Sequence, residues 1–529
     1  MKKSLSICLI SLFLGGLFIA CTSSSSAISR SVAARYGVDE AVIVDIKNVS
    51  PINNGIFEGW GTSLCWWGNR LGGDEIVSNE AVDLFFTQDK GIGLNIIRYN
   101  IGGGDDPTHN HITRSDSVMP GFWKNVDENG NFEYDWSADF RQRNVLKKIV
   151  SKVNENDLIV EFFSNSPPYF MTNSGCSSGA VKRKTDNIRE DRYDDFAEYL
   201  AEVTYNLQNI DGIKVKSLEP MNEPRSDFSW VAFNPKQEGC NVGKGKNQSK
   251  LLLLTRQALD RKGLQNVIVS GCDEDSSGIQ ASSFTSLSQD AKNSIGRINT
   301  HTYWGERYLK LRNLAKKYEK DLWVSETDGY SSIGGDNGQM GPALSFAKKI
   351  LDDMNGLRPS AWLIWQSIAG YISDTPFNGI VDGVYDLDCS QGFWGTAFAD
   401  FVNKKIILSK KYYAFGQFTK YIRPGSYVIY TGLDNYIASY HPETKQVSIV
   451  CVNDSQKEKN CCFDLSSFVK KCGEIKAVRT SGKTLKEGEN LSIVELPITI
   501  IEPMIFSAPL APSSVTTFII EGVESLENF

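Results

Sequence analysis

The stretch IKVKSLEPMNEP, Ile213 to Pro224, opens as a strand and closes on a crowd of acids and amides. Ile213 and Val215 alternate with Lys214 and Lys216, and Glu219, Asn222 and Glu223 then gather around two prolines, Pro220 and Pro224. A carboxylate beside a core must be paired, neutralised or used. Seven other short apolar runs end in the same manner, in Gly, Pro or polar residues: IFEGWGTSLCWW, LNIIRYNIGGG, LIVEFFSNSPP, VIVSGCDE, RINTHTYWG, LWVSETDG and AWLIWQS. Such runs suit strands buried on both faces.

Between the runs lie helical periodicities. Phe140, Leu146, Ile149, Val150 and Val153 precede the third, and Tyr193, Phe196, Ala197, Leu200 and Val203 the fourth. Tyr308, Leu311, Leu314, Ala315 and Tyr318 precede the seventh, and Leu344, Ala347, Ile350, Leu351 and Met354 the eighth. Strand and helix alternating eight times predict an α/β fold, a (β/α)8 TIM barrel over 51–415 whose strand ends carry the site. After Gly416 the texture changes to β-rich runs split by turn residues: SYVIYTG, YIASYHP, QVSIVCVN, LSIVELPI and SVTTFIIEG. These predict a β-sandwich over 416–529. AVIVDIK, Ala41 to Lys47, has no helix partner, so a strand over 41–50 is assigned to the same sandwich.

Length and composition agree. The 529 residues, 41% hydrophobic and 11% aromatic, suffice for a large barrel and a smaller domain. A net charge of -7 excludes a nucleic-acid surface, which needs a basic face. At the N-terminus Lys2 and Lys3 precede an apolar stretch from Leu5 to Ala20, and Ala20 stands directly before Cys21. The pattern predicts a bacterial lipoprotein signal over 1–21, lipidation at Cys21, and a linker over 22–40. An uncleaved anchor or an ordinary secretory signal are the alternatives. The expected location is the cell envelope, lipid-anchored in the periplasm or at the outer-membrane surface. With Cys8 and Cys21 set aside nine cysteines remain, an odd number that leaves at least one unpaired. No CxxC pair marks a zinc site. His109 and His111, lacking a third His or Cys nearby in sequence, read as loop hydrogen-bonders, so no metal is expected.

At the barrel's strand ends two carboxylates stand out, Glu223 on the fourth strand and Glu326 on the seventh. Glycoside hydrolysis needs such a pair: one group protonates the leaving oxygen, and the other attacks or stabilises the sugar carbon as positive charge grows there. Opposite roles require different surroundings, one acid kept neutral and the other ionised. Arg98 is placed to hold Glu326 charged, with His301 and Tyr303 as donors between the two acids. Glu219 reads as the structural partner of a buried cation, and Asp273 and Glu274 as polar residues of the rim. Trp66 and Trp67 are adjacent, so on a strand one faces the core and the other the site.

MNEP on the fourth strand with WVSET on the seventh resembles the clan of retaining glycosidases with glutamates at those two ends. SPPYFM, Ser166 to Met171, and YYAFGQFTKYIRPGS, Tyr412 to Ser426, narrow the resemblance to glycoside hydrolase family 30, over about Ala41 to Glu521. The resemblance implies that Glu223 is the general acid/base and Glu326 the nucleophile of a double displacement needing no cofactor. It implies that Asn222 binds the sugar 2-hydroxyl, that Arg98 and Tyr303 orient the nucleophile, that Asp105 binds sugar hydroxyls, and that Trp365 floors the central subsite. Trp66, Trp67, Phe170 and His301 complete the expected substrate-binding set; Phe170, Met171 and Thr172 depart from the Trp-Met-Lys often found after the double proline. GWGTSLCWWGNRLGG and RYNIGGGDDPTHNH resemble the first two strand ends of the family's endo-β-1,6-galactanases. A monomer acting on β-1,6-galactan is therefore expected. A β-1,6-glucanase, a glucosylceramidase-like enzyme and a non-catalytic glycan-binding lipoprotein remain open.

Overall fold

The computed structural model describes residues 27–226, 230–304, 307–328, 339–382, 394–469, 473–483 and 487–525. The expected signal segment, Cys21 and the serine-rich start of the linker lie outside them. Residues 27–36, expected as linker, are helical, because Val32, Ala33 and Tyr36 form an apolar stripe against Ala41 and Cys462. Among the described residues no helix is long and apolar enough to cross a membrane.

All eight runs become barrel strands. β1 (Glu40–Ile43) comes first and lies elsewhere; β2 (Gly59–Ser63), β3 (Ile96–Asn100), β4 (Ile159–Phe163), β5 (Val215–Glu219), β6 (Ile268–Ser276), β7 (Arg297–Trp304), β8 (Asp321–Glu326) and β9 (Ala361–Gln366) close into one parallel barrel. Helices follow the strands in turn: α1 (Glu75–Phe86), α2 (Phe140–Lys152), α3 (Tyr193–Asp211), α4 (Lys246–Arg261), α5 (Ser277–Ser286), α6 (Tyr308–Lys317), α7 (Met340–Leu357) and α8 (Lys410–Thr419). Local chemistry starts them where the pattern says. Asp74 accepts the Val77 N–H to cap α1, and Ser276 accepts the Ile279 N–H to cap α5. Each helix lays one apolar face on the barrel, although Phe140 at the start of α2 is exposed.

Register places the polar interior. Across the barrel Ser63 pairs with Arg98, Arg98 with Glu161, and Glu161 with Ser217, so these side chains form one inward-facing layer. A register shift in β8 sets Glu326 opposite His301.

Beyond β9 a three-stranded sheet, β10 (Ile368–Ile372), β11 (Ala397–Asp400) and β12 (Lys405–Leu408), precedes α8. The sandwich then pairs a six-stranded sheet with a four-stranded one. The first comprises β13 (Tyr427–Ile429), β14 (Tyr436–His441), β15 (Gln446–Asn453), β17 (Ile475–Thr480), β18 (Ser492–Val494) and β21 (Ser514–Ile520). The second comprises β1, β16 (Lys459–Asp464), β19 (Thr499–Glu502) and β20 (Ile505–Leu510). β1 runs parallel to β16, Glu40 opposite Cys461, which makes the N-terminal strand part of the sandwich as the sequence predicts. Seven described cysteines, Cys461 and Cys462 included, are buried free thiols.

Candidate active site

Glu326 is the last residue of β8, and Glu223 lies four positions past the end of β5. One carboxylate oxygen from each and a ring nitrogen of His301 lie within 4.8 Å of one another. Glu223 sits in the left-handed region at φ 46°, a costly conformation for a non-glycine residue. Its N–H donates to the Asp273 carbonyl at 2.8 Å, and its own carbonyl accepts from Trp230 Nε1 at 2.7 Å, so both neighbours hold the kink.

The two acids have different surroundings. Glu326, 6% exposed, accepts from Arg98 Nη1 at 3.2 Å and from the Tyr303 hydroxyl at 3.0 Å. Burial raises its carboxyl above the ordinary value, against the pull of the His301 and Arg98 charges. Glu223 is more open, and His301 Nδ1 faces it at 3.1 Å. The same nitrogen stands 3.6 Å from Glu326, while Nε2 stands 3.3 Å from Asp273. Burial opposes a charge on this imidazole, but the Glu326 and Asp273 charges outweigh it and raise His301 well above its ordinary value. His301 is thus an imidazolium wedged between the acids.

Beneath lies a buried ionic floor. Arg98, fully buried, donates through Nε to Glu161 at 3.0 Å and through Nη2 to Asp273 at 2.5 Å. Asp273 also accepts from the Ser325 hydroxyl; burial works against its ionised form, yet Arg98 and His301 hold it well below the usual carboxylate range. Glu161 accepts from Arg297, Asn299, Ser217 and Ser270, and Arg297 stacks over Trp323. Three cations, Arg98, Arg297 and His301, thereby meet three carboxylates, Glu161, Asp273 and Glu326.

Above the acids opens a cleft of about 540 Å³. Trp66, Asn222, Glu223, Tyr303, Glu326 and Trp365 all line it. Asn222 Oδ1 and Trp66 Nε1 are buried and meet no protein partner, which leaves both aimed at a ligand. Arg114 lies over the Trp66 and Trp365 rings, 5.1 and 5.2 Å from their centres, and Trp230, Trp304 and Trp394 extend the aromatic wall. Sequence reading missed Arg114, Trp230 and Trp394, which lie outside the strand-end motifs, whereas Trp304 ends the run RINTHTYWG and β7.

Other expectations are corrected. Trp67 is not in the cleft: the chain turns into a helix at Trp67–Leu71, so strand alternation fails, and the ring packs in the core with Nε1 bonded to the Ser63 carbonyl. Phe170 belongs to an aromatic cluster with Trp123, Phe132 and Tyr169. Arg98 and His301 lie below the cleft surface and act on the acids rather than on a ligand. Asp105 does not line the cleft either. Its Oδ1 accepts the Ser177 N–H at 2.9 Å, and its Oδ2 faces His109 and His111. Asp273 is no rim residue but fully buried, and Glu274 is buried under hydrogen bonds from Ser283 and Gln248, burial raising it to about 7. Glu219 has no cation on it: neither oxygen meets a protein partner, and burial, with the Asp273 and Glu161 charges, raises it well above its ordinary value.

Among the described residues two groups gather metal-type donors: Glu223, His301 and Glu326; and Asp105, His109, His111 and Cys176. The first is held together by the imidazolium's proton, which leaves that ring no lone pair to offer a cation. The second overturns the reason for dismissing His109 and His111, because the fold supplies a cysteine that the sequence places 65 positions away.

A closed parallel barrel with two facing carboxylates over an aromatic cleft defines a glycoside hydrolase. The model of O-glycosyl hydrolase family 30 matches residues 45–283. An endo-β-1,6-galactanase of Hypocrea rufa is 29% identical over 443 residues, 79% of this chain and 83% of the relative. An exo-β-1,6-galactobiohydrolase of Bifidobacterium longum subsp. longum is 23% identical over 564 residues, and the alignment spans 82% of this chain but only 36% of that protein. The catalytic domain of xylanase C from Talaromyces cellulolyticus superposes with a TM-score of 0.66 over 91% of this chain and all of that one, at 16% identity. The chain is an O-glycosyl hydrolase that resembles family 30 in sequence, over residues 45–283 and along most of the galactanase relative.

Proposed function

We propose that this enzyme cleaves β-1,6-linked galactan with retention of configuration, Glu326 acting as nucleophile and Glu223 as acid/base. The proximity of the two carboxylates carries the reading: oxygens within 4.8 Å suit the roughly 5 to 5.5 Å of a covalent double displacement and leave no room for the water of an inverting enzyme, which needs about 6.5 to 9.5 Å. Arg98 and Tyr303 donate to Glu326, hydrogen bonds that favour its ionised form for attack against the cost of burial. Glu223, nearer the opening, protonates the departing oxygen and then takes a proton from the incoming water. Asn222 Oδ1 accepts from the sugar 2-hydroxyl, and Trp66 and Trp365 wall the subsite.

The galactanase relative supports the linkage, and internal cleavage goes with it. Digestion of β-1,6-galactan, β-1,6-glucan and xylan, with NMR of the first-formed anomer and sizing of products, tests sugar, mode and stereochemistry together. Retained β-product and mixed galacto-oligosaccharides are expected; an α-anomer at early times would refute the mechanism. Glu326→Ala is expected to lower kcat at least about 10³-fold with folding intact. For the N-terminal segment the reading is lipidation at Cys21 in the cell envelope, checked by radiolabelled palmitate incorporation, which Cys21→Ala is expected to abolish.

A further inference from the structure

The geometry points to a zinc site built from Asp105, His109, His111 and Cys176, beside the sugar cleft and separate from it. One donor atom from each lies within 4.8 Å of the others. Asp105 Oδ2 stands 3.2 Å from His109 Nδ1 and 3.6 Å from His111 Nε2, and Cys176 Sγ stands 3.6 Å from that same Nε2. Tetrahedral zinc, with Zn–N and Zn–O near 2.0–2.1 Å and Zn–S near 2.3 Å, requires donor separations of about 3.3 Å for N and O and about 3.6 Å for N and S. These three separations lie within about 0.3 Å of that geometry, and every other pair of donors lies within 4.8 Å.

Hydrogen bonding alone does not account for the cluster. His111 Nε2 faces Asp105 Oδ2, Cys176 Sγ and the Ser178 hydroxyl at 3.2 to 3.6 Å, and one ring nitrogen satisfies only one partner well. A cation among the donors satisfies several at once. The outer contacts are those that orient ligands: Asp105 Oδ1 takes the Ser177 N–H at 2.9 Å, and the Phe233 N–H points at Cys176 Sγ at 3.4 Å. The Phe233 ring covers both imidazoles, 5.0 and 5.4 Å from their centres. A thiolate and a carboxylate balance a divalent cation, so the site buries little net charge. Two nitrogens and a sulfur select a borderline metal such as zinc over calcium or magnesium.

The consequence is architectural. The ligands join the loop after β3, which carries Asp105, His109 and His111, to the loop after β4, which carries Cys176; Phe233 adds the loop after β5. Two residues past His111, the Thr113 N–H bonds the Pro235 carbonyl, and Arg114 reaches over Trp66 and Trp365. Zinc would fix the strap that brings Arg114 to the cleft wall.

The test uses the full chain, produced without a polyhistidine tag and purified without chelator. Plasma mass spectrometry is expected to find about one zinc per chain in the wild type, and less than about a tenth of that in Cys176→Ser and in His111→Gln. The wild type, stripped with a strong chelator and titrated with zinc chloride, is expected to gain at least about 2 °C in Tm, which covers variants that fail to fold. Zinc well below stoichiometry together with a Tm that zinc leaves unmoved overturns the proposal. So does stoichiometric zinc that survives both substitutions.

Discussion

Glu219 and Glu223 stand four residues apart on one strand end and have opposite surroundings. Glu223 reaches the cleft, whereas Glu219 points into a barrel whose three cations are already matched by three carboxylates. A buried acid without a counter-charge stays protonated. Its folded pKa is raised, so above the ordinary Glu value of about 4.3 the native state holds a proton that the unfolded chain releases. Stability therefore falls as pH rises from that value toward the folded pKa, with a slope of up to about 1.4 kcal/mol per pH unit from this group. Glu219→Gln removes the contribution, and urea unfolding between pH 5 and pH 8 is expected to show a flatter profile for the variant. Parallel profiles would mean that Glu219 is ionised in the fold. The sequence displays this carboxylate plainly but not its neighbours: the buried cations nearby, Arg98 and Arg297, are bound to Glu161 and Asp273, which only the closed barrel brings alongside.

At the scale of elements, the barrel strands are legible because parallel strands buried on both faces read as apolar runs, and each here ends in a punctuating Gly, Pro or polar residue. The three-stranded sheet of β10–β12 is not legible, since its short strands sit between the last apolar run and α8 with no rhythm around them. The same limit separates Trp66 from Trp67. The expected split between core and site holds, but not through strand alternation: the strand ends at Ser63, and the helix beginning at Trp67 decides which ring goes where. Trp67→Ala is expected to cost about 3–5 kcal/mol in guanidinium unfolding, as for a large aromatic removed from a packed core. Trp66→Ala, at the border of the open cleft, is expected to raise KM about 10-fold or more with a smaller loss of stability. A reversed pattern would exchange the assignments of the two rings.

The whole molecule is tied together at α8, where the barrel's core continues into the sandwich. Phe415 and Phe418 belong to the same apolar cluster as Trp60 and Trp362 of the barrel and Val450, Val452 and Val515 of the sandwich. Polar pins accompany them. Trp60 Nε1 donates to the Ile422 carbonyl at 2.8 Å, and Gln417 hydrogen-bonds Thr480 and Thr517. The buried Lys410 ammonium donates to the Ser481 carbonyl at 2.5 Å and to Asn490 Oδ1 at 2.6 Å, acceptors that only the sandwich supplies. An ammonium left inside without acceptors is costly, and so is a bared aromatic face. Because β1 precedes the barrel and pairs with β16, the chain enters and leaves through the smaller domain. Ending the chain after Thr419 would expose the Phe415 and Phe418 face, orphan Lys410 and strip β1 of its partner. The truncated chain is expected to be insoluble, or to aggregate in size-exclusion chromatography, although every barrel residue at the cleft remains. A monomeric truncation with wild-type kcat/KM would show instead that the barrel stands alone and that the sandwich serves another purpose.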